Sequence, residues 1–327
     1  MNINECIELS KADLHVHLNG LFDTDTIRKV IEKENLDIPH GFDLDKDLNV
    51  LTYKKSLINY LKPWDILRLI PTRRDNLSIL IKSAFVKLKE DNVKFIELRS
   101  SVIYLSLLFQ KNLEDTLAIL IEELTKASVK FEIPYGLILT IPRGEYSLVI
   151  LSQLLRAYEN LGRPSEIVGL DLAGDEDVKV SSDLALKFKS AKNDFGLSIT
   201  IHAGETGNYK NIEEAIHKYS ADRIGHGAAA EQSQQTMDLL LKNNICIEIC
   251  PISNRRTGAV KAKDTHPVKT FIKNNIPFVL CSDNPSIHKS SLSYDYFDFI
   301  TETNRVDLVN NMFEMQKKYT FLKNHGN

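Results

Sequence analysis

No run of eighteen apolar residues occurs in the chain, so nothing in the sequence reads as a membrane-spanning helix. The segment Met1 to Lys11 lacks the basic start, apolar middle and small-residue end of a secretory signal. Cysteine is scarce. Cys6, Cys246, Cys250 and Cys281 form no Cys-x-x-Cys pair, which argues for reduced thiols in a cytoplasmic protein rather than a disulfide framework. An excess of charge of one sign is missing too. The 41 basic and 44 acidic residues leave a formal charge of −3, so no basic field exists to hold nucleic acid. The 14 glycines and 10 prolines are scattered, and no linker, repeat or low-complexity segment divides the 327 residues. One domain over residues 1–327 is the expectation. No Gly-x-Gly-x-x-Gly or Walker-type loop is present, which weakens an open doubly wound sheet.

What is present is alternation. Eight short β-rich runs occur: Ala12–Leu18, Val93–Arg99, Tyr135–Ile141, Ile167–Leu172, Leu197–His202, Arg223–His226, Ile245–Cys250 and Pro277–Cys281. Most are continuous apolar stretches, as strands covered on both faces require. Helical periodicity separates them, as over Asn76–Asp91, where Leu77, Leu80, Ile81, Ala84, Phe85 and Leu88 fall on one face. Leu113–Ser128, Tyr146–Asn160, Ser181–Asn193, Glu213–Tyr219 and Glu231–Lys242 read similarly, and Val306–Lys318 reads as a closing helix. Eight β/α units in this length predict an α/β fold, a (β/α)8 TIM barrel. The segment Thr52–Asp75 is expected to be a helical lid insertion after the first strand, with Leu57, Tyr60, Leu61 and Trp64 at helical spacing. Arg73 and Arg74 after it read as a solvated turn.

Ionisable residues sit where several strands end, and a barrel builds its site there. His15 and His17 alternate along the first strand, so both imidazoles face one point, as a metal would require. Two unrelated polar residues would produce the same pattern. His202-Ala203-Gly204-Glu205 supplies a third histidine and a carboxyl group for acid/base work, unless Glu205 only favours a helix start. His226 lies between Gly225 and Gly227 and suits proton transfer or electrostatic support, unless it is a core histidine. Asp283 closes the last strand, beside the first in a closed barrel. It is a turn former before Pro285 or the carboxylate of a three-histidine zinc set. His40, His217, His288 and His325 show no partner pattern. His266 reads as a helix start before Pro267, with a loop at the site mouth as the alternative. Cys246 and Cys250 read as buried thiols.

Assembled, these segments resemble the adenosine deaminase family. The matching stretches are residues 13–20 (Asp-Leu-His-Val-His-Leu-Asn-Gly), 169–176 (Gly-Leu-Asp-Leu-Ala-Gly-Asp-Glu), 202–205, 223–227, 250–254 (Cys-Pro-Ile-Ser-Asn) and 282–285 (Ser-Asp-Asn-Pro), in the family's order. The resemblance implies a zinc-containing barrel that hydrolyses the amino group of a 6-aminopurine. It implies that His15, His17, His202 and Asp283 ligate Zn²⁺ and that Glu205 protonates the purine ring. It further implies that His226 orients the zinc-bound hydroxide and helps take its proton, and that His17, Gly174, Asn19 and Asn284 face the substrate. The partner implied is a small purine nucleoside or base, with no nucleic acid and no membrane. The oligomeric state is not set, and a monomer is compatible with the sequence. The nucleic-acid-editing type of zinc deaminase uses His-x-Glu with Pro-Cys-x-x-Cys, and this chain has neither.

Two positions depart from the family. Asn284 stands where an aspartate usually follows the metal-binding aspartate, and Asn19 stands where an aspartate usually follows His-x-His-Leu. An amide at 284 can still donate to a purine ring nitrogen. Both changes remove a carboxylate from the mouth, which could admit a 5′-substituted or phosphorylated nucleoside; deamination of adenine or of an N6-modified adenosine is a separate alternative. Fold alone leaves open a metal-dependent hydrolase of another bond, or a binding protein without turnover.

Overall fold

The protein is described from a computed structural model covering residues 1–54, 57–261 and 263–323; His325 lies outside the described residues. Eight strands form one sheet in the order β1 to β8: β1 Lys11–His17, β2 Val93–Ser100, β3 Tyr135–Pro142, β4 Ile167–Ala173, β5 Ser198–Ala203, β6 Arg223–His226, β7 Cys246–Ile249 and β8 Phe278–Leu280. Every neighbouring pair is parallel. The sheet closes through a bridge between Val16 and Asp283. There the His17 N–H donates to the Asp283 carbonyl and the Asp283 N–H to the His15 carbonyl, both at 2.8 Å. The expected (β/α)8 barrel is the observed fold. No helix among the described residues is long and apolar enough to cross a membrane.

The helices follow their apolar stripes. Arg74–Glu90 buries Leu77, Leu80, Ile81, Ala84, Phe85 and Leu88, the six positions its periodicity marks. Leu113–Phe131 starts at Asn112, whose side chain accepts from the Asp115 N–H, and buries Leu117, Leu120, Leu124 and Ala127. The expected closing helix is broken at Asn311 into Val306–Asn310 and Met312–Tyr319. The helix expected to start at Glu231 is split as well. Ala228–Gln232 is a 3₁₀ turn, and Ser233 then caps Gln234–Lys242. The expected helix at Glu213 begins earlier, at Tyr209, because Asn208 caps it. Val102–Phe109 and Leu292–Thr303 are helices that periodicity did not separate from their surroundings. All four cysteines are buried and free.

Beneath the mouth, the barrel interior is polar. Glu97, Arg99, Asp171, Arg223 and Glu248 are all buried within strands. Arg223 donates to Glu97 Oε2 at 2.5 Å and to Glu248 Oε1 at 2.7 Å, and its guanidinium lies 3.6 Å from the Phe321 ring centroid. Thr320 Oγ1 and the Phe321 N–H both donate to Glu97 Oε1. The C-terminal segment thus packs under a charge row that runs towards the histidines above. Such a row is tolerated in a dry interior because each charge is paired.

Candidate active site

The strand ends bring His15, His17, His202, His226, Glu205 and Asp283 together. His15, His202, His226 and Asp283 each offer one ligand atom within 4.8 Å of the others. His17 joins them, with its Nε2 3.2 Å from His202 Nε2 and 3.4 Å from Asp283 Oδ1. His15 Nε2 lies 3.6 Å from Asp283 Oδ1. Two of these residues carry strained backbone, with φ at +64° for His226 and +62° for Asp283. Gly225 is required beside His15, since a Cβ there would sit 2.9 Å from the His15 ring.

Buried carboxylates orient the rings. His15 Nδ1 lies 2.8 Å from Glu248 Oε2, and His202 Nδ1 lies 2.9 Å from Asp171 Oδ1. Each Nδ1–H donates to its carboxylate, which turns a bare Nε2 towards the cluster. One guanidinium clamps both carboxylates: Arg99 pairs with Glu248 and lies 3.3 Å from Asp171. Burial lowers His202 to about 3 and His17 to about 4, so both rings are neutral at pH 7. Burial and Arg99 push His15 down, but its contacts with Asp283 and Glu248 outweigh them and raise it. Burial would raise Asp283, yet the surrounding histidines hold it well below the usual carboxylate range.

This arrangement fits a metal. His15 Nε2 is buried with no hydrogen-bond partner. His17 Nε2 and His202 Nε2 face one another at 3.2 Å, close enough for one cation to take both as ligands. Three imidazoles and one carboxylate form a borderline-soft set that suits zinc.

Glu205 sits on the turn after β5, which Glu176 holds. The Glu176 carboxylate accepts from the backbone N–H groups of Gly204, Glu205 and Thr206 at 2.7, 2.7 and 3.0 Å. The following helix starts only at Tyr209, so Glu205 stands clear of its first turn. Burial raises the Glu205 carboxyl above its ordinary range. His226 Nε2 lies 3.8 Å from Glu205 Oε1.

Above these groups opens a cleft of about 1190 Å³, counting the space open to solvent. Leu57, Tyr60, Leu61, Trp64 and Leu67, from the expected insertion, line one wall. Residues 55 and 56 of that insertion lie outside the described set. Gly174, Asn19 and Asn284 also line the cleft. Asn19 is turned partly away, since its Nδ2 donates to the Leu67 carbonyl at 3.1 Å. Gly20 makes room for Asn284, because a Cβ there would fall 2.0 Å from Asn284 Oδ1. Arg73 is exposed and Arg74 pairs with Glu122 and Glu123. Two arginines line the cleft: Arg99, buried and paired with Glu248 and Asp171, and Arg68, stacked 5.3 Å from the Tyr104 ring centroid.

Sequence reasoning missed two partners. His288, read as unpartnered, is buried with its Nε2 2.9 Å from the Tyr60 hydroxyl. Tyr60 in turn lies 3.4 Å from Asp283 Oδ2. His266 does precede a helix, Val268–Lys273, and its Nδ1 accepts from the Val268 N–H. It also reaches the site, because its Nε2 faces Asn254, which holds His226.

The barrel carries this cluster at its strand ends, and the family match makes the protein a hydrolytic deaminase. The model of the adenosine deaminase family matches residues 10–310, and the chain belongs to that family. It is 29% identical over 288 residues to an adenosine deaminase of Clostridium botulinum, covering 88% of this chain and 86% of that one. Two solved structures share the fold. One is an amidohydrolase from Burkholderia ambifaria with bound Zn, with TM-score 0.83, 18% identity and coverage of 98% and 88%. The other is an arabidopsis N6-mAMP deaminase, with TM-score 0.79, 23% identity and coverage of 97% and 95%.

Proposed function

We propose that the protein is a zinc-dependent deaminase of adenosine or a related 6-aminopurine nucleoside, releasing ammonia and the 6-oxopurine. The observation that carries this reading is the convergence of His15, His17, His202 and Asp283 beside the buried Glu205 on the cleft floor. Those four residues would hold the zinc. When bound, zinc supplies Lewis acidity and brings the pKa of a coordinated water down to about 7.

The chain's own groups supply the rest. Glu205 keeps its proton to higher pH than a free carboxyl and can give it to the ring nitrogen beside the amino-bearing carbon. That protonation makes the carbon electrophilic, and water adds to it. One of the water's protons returns to the Glu205 carboxylate and the other passes to the amino group. The C–N bond of the tetrahedral adduct then breaks, releasing ammonia and leaving the 6-oxo group. His226 sits across from Glu205 and orients the attacking water. Gly174, with φ at +103°, presents backbone to the purine with no side chain between. Asn284 faces the imidazole half of the base, and Asn19 and His17 lie along the sugar side. Leu57, Leu61 and Trp64 keep water off the ring.

A second reading is favoured by Arg68. It lines the cleft with an aromatic neighbour and no carboxylate partner among the described residues. Asn19 adds no negative charge nearby. A 5′-phosphorylated adenosine, with or without an N6 substituent, would complement that cation. The test is a substrate panel with zinc-loaded protein: adenine, adenosine, 2′-deoxyadenosine, AMP, N6-methyladenosine and N6-methyl-AMP, following ammonia or methylamine release. Turnover of a nucleoside supports the first reading. A strong preference for phosphorylated forms replaces it with the second. No turnover of any member with zinc bound refutes both.

A further inference from the structure

The lower end of the interior charge row is held by residues from outside the barrel. Thr320 Oγ1 and the Phe321 N–H both donate to Glu97 Oε1 at 2.5 Å, while Arg223 takes Oε2. Arg223 is held from the same side. Its Nη1 donates to the Tyr319 carbonyl at 2.8 Å, and its guanidinium lies against the Phe321 ring. Both charges are buried.

The strands leave room for this segment. A Cβ on Gly169 in β4 would fall 3.1 Å from the Phe321 ring, and one on Gly136 in β3 would fall 3.2 Å from Leu322 Cγ. Glycine inside a strand often marks the close approach of another stretch of backbone. Neither glycine has a part in the chemistry proposed above.

From Arg223 the row reaches a candidate metal ligand in two contacts. Arg223 Nε donates to Glu248 Oε1 at 2.7 Å. The other oxygen, Oε2, lies 2.8 Å from His15 Nδ1 and accepts its proton. A carboxylate is planar, so whatever turns one oxygen turns the other. The direction of His15 Nε2 therefore depends on where Arg223 stands, and Arg223 stands where Glu97, Tyr319 and Phe321 put it. Arg99 and Thr200 also hold Glu248, so this support is one of several. Water admitted beside Arg223 would weaken each pair, because charges attract more strongly in a dry interior.

We propose that Tyr319, Thr320 and Phe321 are positioning residues for the metal site. They plug the barrel floor, fix Arg223 and Glu97, and through Glu248 set the His15 ring for zinc. The proposal rests on the zinc-ligand reading and goes beyond it, since none of the three lines the cleft.

The experiment measures zinc affinity by chelator competition beside the melting temperature of the zinc-free protein. Thr320→Val removes one hydrogen bond to Glu97 and keeps the shape. Phe321→Ala uncovers Arg223. Leu120→Ala, buried in the outer helix Leu113–Phe131, is the control for lost stability alone. The first two should weaken zinc binding by about 2- to 30-fold. Leu120→Ala should lower the melting temperature and leave zinc affinity unchanged. Unchanged zinc affinity in both Thr320→Val and Phe321→Ala would overturn the proposal, and so would an equal loss in Leu120→Ala. Zinc binding without purine turnover in the unsubstituted protein fails the deaminase reading alone, and the affinities still decide this one. No zinc binding there overturns the ligand assignment and this proposal with it.

Discussion

Asn284 Nδ2 donates to the Tyr60 hydroxyl at 2.9 Å, joining two residues 224 positions apart on the wall of the cleft. Asn284 Oδ1 is buried without a partner. Tyr60 therefore orients Asn284, one of the two amides that stand where the family usually has a carboxyl. Tyr60→Phe releases it. Losing one net hydrogen bond costs about 1 kcal/mol, so KM for the preferred purine should rise by about fivefold while kcat changes little. Steady-state kinetics measure this. A fall in kcat with constant KM would place Tyr60 in the chemistry instead.

Glu205→Gln removes the acid and keeps the shape. The expected loss in kcat is about 10²- to 10⁴-fold, with zinc content unchanged by metal analysis, because Glu205 is not among the proposed ligands.

The pH dependence follows from the same residue. Burial raises the Glu205 carboxyl, so the protonated form persists above the ordinary carboxylate range. Activity that needs the acid is retained at low pH on this account and lost as pH rises through the raised value. The stability contribution has the same sign. The folded state holds this proton more tightly than the unfolded chain, so the contribution is present at low pH and lost as pH rises. A kcat profile whose alkaline limb is unchanged in Glu205→Gln would contradict the assignment.

Arg99→Met removes the guanidinium that holds both Glu248 and Asp171. The two carboxylates then repel, and the rings of His15 and His202 lose their fixed direction. Zinc affinity, measured by chelator competition, should fall about 10- to 100-fold. Arg163→Ala, which breaks contacts with Glu159, the Asp194 carbonyl and the Phe195 ring far from the cluster, should leave it unchanged.

The strands were legible as short apolar runs, and the candidate ligands because several of those runs end in an ionisable residue. β6 matches its expected bounds, Arg223–His226, residue for residue. The interior charge row was not legible. Glu97 and Arg99 alternate with apolar residues on β2 as outward-facing polar residues would, and their partners Arg223 and Glu248 are remote in sequence. His288 and His266 escaped for a related reason. Each lies in irregular chain, and its role comes from Tyr60 or Asn254, which no periodicity connects to it. Val102–Phe109 was missed because it is apolar nearly all round and follows β2 directly.

The bridge between Val16 and Asp283 gives the proposed ion a second task. With the hydrogen bonds from Ser282 to Asp13, it joins the first strand to the end of the last, and it lies among His15, His17 and Asp283. An ion held there would act as a rivet between the two edges of a rolled sheet. Zinc at a hundredfold excess over its dissociation constant would add about 2.7 kcal/mol to folding. Chelation should therefore lower the melting temperature along with activity, and hydrogen exchange should quicken first at the amides of His17 and Asp283. On this account, the ion would hold the barrel closed as well as serve the reaction.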